Sequence, residues 1–287
     1  MKVVSARSLA DALAALEGAT RESRVLAGGT DLMVELEAGR TRPDLVVDVW
    51  RLDELRGIRD ELGGVRIGAL ATCTDLVRSP LVARSADILA EAAREVGAVQ
   101  IRNRATIGGN LGTASPAADL NPVLFALGAR VRVRSRSGER ELDVQEFVTG
   151  YRTTARAADE LIESVWIPAR GSSERRAFRK VGTRRAQSIA KVVAALCVDA
   201  RDGIIAGVRA AAGSVADRTL RLHALERELT GRAPSIELIV HAARESCRAD
   251  ISPRADVRST AEYRREVLAR ILTRMLAELL RGSMGDA

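Results

Sequence analysis

Aromatic residues make up only 2% of this 287-residue chain: two Trp, two Tyr and three Phe. Lysine is as scarce. Of 45 positive side chains, only Lys2, Lys180 and Lys191 are not arginine, and no block of like charge gathers them. A basic stripe interleaved with rings is therefore missing, so no nucleic-acid partner is expected, and the net charge of +7 reads as an arginine-rich solvated surface. Apolar runs such as VVAALCV stop well short of the ~18 residues that a membrane span needs. The first residues are interrupted by Arg7, Asp11 and Glu17, which leaves no export signal, and the cytoplasm is the expected location. Cys73, Cys197 and Cys247 are too scattered for a zinc or CxxC pattern, and their odd number suits reduced, buried thiols. No metal or iron–sulfur cluster is expected on this chain. His223 and His241, the only histidines, lie far from any glycine-rich turn and read as surface or packing residues of helices.

What is present is a regular alternation of elements. Ser8 caps an amphipathic helix over LADALAALEG, RVLA reads as a short strand, Asp31 to Ala38 as a helix closed by Gly39, and LVVDV as a second strand. That is a small α/β unit over 1–55. From 56 to 170 the texture is α+β. GGVRIGAL enters a strand, SPLVARSADILAEAAREVG has the period of one helix, LNPVLFALG reads as a short helix, RVRVRS-RSG-ERELDV as a hairpin, and ELIESVWIP as a closing strand. ARGSSERR is a linker candidate. Over 175–283, KVVAALCVDA-RDG-IIAGVRAAAG predicts two long strands joined by a turn, followed by two or three helices.

Two glycine turns some 80 residues apart carry the chemistry: VLAGGTDL after the first short strand, and RNRATIGGNLGTASPAADLNP. A diphosphate must exchange its water shell for donors, and backbone amides approach it closely only where Cβ atoms are absent. Gly28–Gly29 and Gly108–Gly109 fit that demand, with Thr30 and Thr106 adding hydroxyls. Asp119 offers a carboxylate for ribose hydroxyls and Asn110 an amide that donates and accepts; a helix cap is the other reading of Asp119. No GxGxxG and no Gly-Lys-Ser/Thr occurs, so neither a Rossmann site nor a P-loop is indicated.

The order and spacing of AGGTDL, RIGALATCTDL, IRNRATIGGNLGTASPAADLNP, GYRTT, FRKVGTRRAQSIAKV and ISPRADVRSTAEYRR resemble the FAD-binding medium subunit of molybdenum hydroxylases. That family contains xanthine dehydrogenase and carbon monoxide dehydrogenase, and the last fragment is more similar to the xanthine type. The resemblance implies an α+β fold: a two-subdomain FAD domain similar to that of vanillyl-alcohol oxidase (PCMH-type), then a carboxy-terminal α+β domain. Carried over residue by residue, it implies FAD held by Ala27, Gly28, Gly29, Thr30 and Asp31 and by Thr106, Ile107, Gly108, Gly109 and Asn110. Asp119 would meet the adenosine side, Lys180 would lie near the flavin ring, and Ile162 would line the site. Ala105, Ser188 and Val96 depart from the family pattern, where glycine, aspartate and, in some members, an aromatic stand.

The same resemblance implies partners, namely a large subunit with the molybdenum cofactor and a small 2Fe–2S subunit. This chain would pass their electrons to NAD⁺ or another acceptor, in a xanthine dehydrogenase-like complex or in a carbon monoxide or aldehyde dehydrogenase. Two rivals come from other classes. A flavin-free assembly scaffold is opposed by the intact glycine turns. A self-sufficient oxidase is opposed by the lack of a placed His or Cys for covalent flavin attachment and of a substrate acid–base pair.

Overall fold

A computed structural model describes residues 1–61, 63–184 and 187–284. The first unit comprises β1 (Lys2–Ser5), α1 (Leu9–Leu16), β2 (Arg24–Leu26), α2 (Leu32–Glu37) and β3 (Leu45–Asp48). Its three strands form a parallel sheet in the order β1-β3-β2. Ser8 caps α1, accepting from the Asp11 amide at 3.1 Å. Apolar positions of α1 turn inward, and Leu13 and Leu16 pack on Val47 and Val49.

The second unit has β4 (Ile58–Glu61), β5 (Gly64–Gly68), then six helices: α3 (Cys73–Arg78), α4 (Pro80–Ser85), α5 (Asp87–Arg94), α6 (Val99–Arg102), α7 (Ile107–Thr113) and α8 (Asn121–Leu127). The hairpin β6 (Arg130–Ser135) and β7 (Gly138–Asp143) follows, then α9 (Val144–Phe147), the small ribbon β8 (Val148–Gly150) and β9 (Thr153–Thr154), and β10 (Leu161–Pro168). Five strands build an antiparallel sheet in the order β4-β5-β10-β6-β7. The single helix expected over SPLVARSADILAEAAREVG is two. Ser79 caps α4 with Pro80 in its first turn, and Ala86, at φ −148° and ψ 51°, breaks the chain before α5. The apolar period runs through that break because both helices bury their apolar residues in one core.

The third unit is β11 (Glu174–Val181), β12 (Val192–Arg201), β13 (Ile204–Gly213), β14 (Leu220–Arg221) and three helices, α10 (His223–Leu229), α11 (Ile236–Ala249) and α12 (Ala261–Leu280). Its strands pair antiparallel in sequence order. The last three of the eight residues of the expected linker, Glu174 to Arg176, are strand. β12 is apolar from Val192 to Val198 because both faces are covered there: Val192, Ala194, Leu196 and Val198 face α10–α12, while Val193, Ala195 and Cys197 face the second unit. α8 is buried along its whole length against β12 and β13, so the third sheet is seated on the second unit. Arg185 and Ala186 of the fragment FRKVGTRRAQSIAKV lie outside the described residues. Among the described residues no helix is long and apolar enough to cross a membrane.

Candidate functional site

The two glycine turns meet. β2 delivers Gly28 so close to the second segment that a Cβ on it would lie 1.7 Å from the Arg104 carbonyl oxygen, which only glycine permits. Arg104 closes the junction from its side. Its Nε donates to the Gly28 carbonyl at 3.2 Å, and its guanidinium stacks 3.8 Å from the Trp50 ring centroid. Beside this junction opens a cleft of about 890 Å³, of the size of small-molecule and cofactor sites. Ala27, Gly28, Gly29, Thr30, Asp31, Thr106, Gly108, Gly109, Asn110, Asp119 and Ile162 all line it. Ile107 is instead buried in the core beneath, and Lys180 stands behind the wall.

The turns divide the work differently from the sequence reading. The amides of Gly28, Gly29, Thr30 and Asp31 have no acceptor among the described residues, and Gly29 takes φ +78°. They are free donors at the cleft wall. The second pair is no free turn but the opening of α7, and its amides are occupied. Ile107 and Gly108 donate to the Ala71 and Ala69 carbonyls at 3.0 and 2.9 Å, Gly109 to the Thr106 hydroxyl at 2.9 Å, and Asn110 to the Thr106 carbonyl at 2.9 Å. Gly108 is needed because a Cβ would come within 2.7 Å of that of Ala69. The expectation of two amide nests is thus corrected: the first turn supplies backbone donors, and the second packs the wall and presents side chains.

Asp31 ties the first unit to the second. It accepts from Arg152 at 3.1 Å and from the Thr113 hydroxyl at 3.2 Å, while Arg152 also holds Glu35 at 3.1 Å. Asn110 donates to the Asn121 side-chain carbonyl at 2.5 Å. Asp119 does not cap α8, whose N-terminal residue Leu120 leaves it without a side-chain cap. Its Oδ2 instead accepts from Lys180 Nζ at 2.7 Å, and Lys180 also donates to the Glu95 carbonyl at 3.0 Å. The Lys180 side chain is 3% exposed. The expectation that Asp119 meets the adenosine side and Lys180 the flavin ring separates two residues that one ion pair holds together, and of the two only Asp119 lines the cleft. Burial lifts the Asp119 carboxyl to about 6, although Lys180 pulls it down.

Three features went unread in the sequence. Arg152, at φ +51°, sits on the β8–β9 turn and pairs with Asp31 and Glu35. Arg156 lines the cleft with its guanidinium bonded to the Ala157, Ala158 and Glu160 carbonyls; burial draws its pKa down. Trp50 and Arg104 form the clamp described above. The fragment GYRTT pointed to the first, but nothing local shows what Arg152 meets 121 residues away. Of the departures, Ala105 does not adopt a positive φ and carries no strain on that account, Val96 lines the cleft without an aromatic face, and the Ser188 hydroxyl donates to the Arg184 carbonyl at 3.0 Å.

A row of free amides suits an anion. On the same cleft Asp119 Oδ1, buried and without a hydrogen-bond partner among the described residues, can accept from a hydroxyl of a ligand. Such a donor set fits a dinucleotide whose diphosphate lies against Gly28–Asp31. Fold and cleft together define a flavoprotein of the two-subdomain type.

The comparisons make the class specific. Residues 1–170 match the family described as the FAD binding domain in molybdopterin dehydrogenase, and residues 176–279 the CO dehydrogenase flavoprotein C-terminal domain. The glyceraldehyde dehydrogenase medium chain of Sulfolobus acidocaldarius is 34% identical over 270 residues, covering 94% of each chain. The caffeine dehydrogenase subunit beta of a Pseudomonas species is 32% identical, covering 94% of this chain and 91% of its own. The structure of carbon monoxide dehydrogenase from Hydrogenophaga pseudoflava superposes with a TM-score of 0.93 at 28% identity, covering 99% of this chain and 98% of its own. The chain belongs to the family of FAD-binding medium subunits of molybdenum hydroxylases, and FAD is its cofactor.

Proposed function

We propose that this chain is the electron-exit subunit of a molybdenum hydroxylase complex. It receives electrons from the iron–sulfur clusters of a small 2Fe–2S subunit, which a molybdenum-cofactor large subunit fills, and passes them to NAD⁺. The free amides of Gly28–Asp31 at a cleft shared by the units carry this reading. FAD, when bound, supplies the conversion of single-electron arrivals into two-electron delivery. The chain's own residues bind and orient. The Gly28–Asp31 amides take the diphosphate, Asp119 Oδ1 accepts from a hydroxyl, Lys180 fixes that carboxylate, and Asn110 and Ile162 set the wall. The expected division into 1–55, 56–170 and 175–283 is part of the same reading, the cleft lying between the first two. So is a reducing, cytoplasmic setting, supported by three buried free thiols.

For the hydroxylated substrate we favour a purine or related heterocycle, supported by the identity to the caffeine dehydrogenase subunit. The xanthine-like fragment DVRSTAEYRR gives less support than its letters suggest. Asp256 accepts from the Arg258 and Ser259 amides and from Arg264, so much of that fragment serves internal packing. An aldehyde is the second reading, favoured by the identity to the glyceraldehyde dehydrogenase medium chain. The test is isolation of the native complex with flavin and metal analysis, then reduction by candidate purines and aldehydes and reoxidation with NAD⁺. Flavin bound to this chain, reduced by a purine and reoxidised by NAD⁺, is the expected result. A complex without flavin, or reduced flavin untouched by NAD⁺, overturns the respective part.

A further inference from the structure

The third unit touches the cleft at two points, and one buried arginine locks those points to each other. Ser214, just past β13 and at φ +63°, donates its amide to the Pro116 carbonyl at 2.8 Å. Gly213 before it comes so near that a Cβ would lie 3.0 Å from that carbonyl and 3.2 Å from Pro122. Lys180, near the end of β11, holds Asp119. Ser115, Ala117, Ala118 and Asp119 all line the cleft. One stretch of wall is therefore gripped at Pro116 and at Asp119 by residues of another unit.

Arg264 of α12 joins the two grips. Its side chain is 5% exposed, and Nη1 donates at 2.8 Å both to the Ser214 carbonyl and to the Lys191 carbonyl. Lys191 in turn donates its amide to the carbonyl of Val181, the residue after Lys180, at 2.8 Å. Nη2 pairs with Asp256 at 2.7 Å, a carboxylate already fixed by the Arg258 and Ser259 amides at 2.9 and 3.1 Å. The planar fork thus holds the entry to β12, the exit of β13 and the turn before α12 from one point, and reaches the end of β11 through Lys191, a geometry that a lysine ammonium, with its single nitrogen, does not reproduce.

We propose that Arg264 is a positioning residue for FAD. Without touching the cofactor, it sets the wall Ser115–Asp119 by fixing Ser214 and the end of β11 relative to each other. The inference rests on the flavin reading of the cleft, and the full chain tests it. Arg264→Met should bind FAD about tenfold or more weakly, as expected when charge-assisted hydrogen bonds are lost behind a wall. Its bound flavin should show an altered visible circular dichroism, measured well below the melting temperature. Arg264→Lys should fall between Arg264→Met and the wild type. Arg270→Met, on the same helix but 77% exposed and paired with Glu266, should match the wild type.

Wild-type flavin affinity and dichroism in a folded Arg264→Met protein, whatever its melting temperature, overturn the proposal and leave Arg264 a structural tie. If Arg264→Met does not fold, Arg264→Lys and Asp256→Asn carry the test, and wild-type affinity in both overturns it. Failure of the wild type itself to bind FAD sinks the flavin reading and this inference with it. Wild-type binding with unaffected variants sinks the positioning role alone.

Discussion

Gly28→Ala is the sharpest perturbation of the cleft. The added Cβ would lie 1.7 Å from the Arg104 carbonyl oxygen, and an ordinary carbon–oxygen contact needs ~3.3 Å, so the two segments must part by roughly 1.6 Å. Arg104 is not free to yield, because it is stacked on Trp50 and bonded back to Gly28. Overpacking of this kind costs about 1–3 kcal/mol of stability, which a chain of this length should survive. The larger effect falls on the ligand. Moving the Gly28–Asp31 amides that far removes at least one hydrogen bond to a charged group, worth about 1.5–3 kcal/mol, or roughly 10- to 150-fold in affinity. Gly112→Ala is the matched control, since its Cβ would find only Ile162 Cδ1 at 3.5 Å. The assay is equilibrium binding of FAD to flavin-stripped protein, with circular dichroism to confirm folding. Wild-type affinity in folded Gly28→Ala would refute the claim that the first turn's amides hold the diphosphate.

Asp119 gives a pH signature. Its folded value of about 6 lies above the ordinary 3.8, so between those values the unfolded chain ionises while the folded one stays protonated. The group's stabilising contribution is therefore full below about pH 4 and lost as pH rises through about 6, a change on the order of 3 kcal/mol. Denaturation of flavin-free wild type against Asp119→Asn should show that slope in the wild type alone, and parallel profiles would refute it. Lys180→Met leaves the buried carboxyl without its cation and should cost about 3–5 kcal/mol near neutral pH, read as a lower urea midpoint; an unchanged midpoint would show that the pair contributes nothing. Arg104→Ala removes the nearer of two guanidiniums over the Trp50 ring, Arg56 at 4.6 Å remaining, and frees the Gly28 carbonyl, so in a Trp166→Phe background the emission of Trp50 should shift to the red and FAD affinity should fall together. Burial raises each of the three thiols to about 12. A disulfide reagent at pH 8 should therefore react with none of them before unfolding and with all three after it, and rapid reaction of any one in native protein would contradict its burial.

Much of the fold was legible because local chemistry and tertiary need agree there. The hairpin β6–β7 alternates around Arg136 and Ser137, Ser8 and Ser79 stand where helix caps are used, and Gly39 takes the positive φ that ends a helix. The two-strand reading of Lys191 to Gly213 also matches β12 and β13. Where periodicity misled, a short irregular residue was the cause. Ala86 interrupts two helices that pack into one core, and no residue type marks the break. The TIGGN segment read as a free turn because glycine is rare in helices, yet Thr106 caps α7 and Gly108 is placed there by the approach of Ala69.

By itself the sequence determined the family and the two glycine-bearing segments, since these depend on residue type and on spacing along the chain. Tertiary structure alone decided which amides remain free, because each is free or occupied according to carbonyls such as Ala69 and Ala71 that come from elsewhere in the chain. It alone joined Lys180 to Asp119 across 61 residues and Arg264 to Ser214 across 50. Hydrogen bonds and ion pairs act over about 3 Å of space, and distance along the chain says nothing of that separation until the sheets have packed.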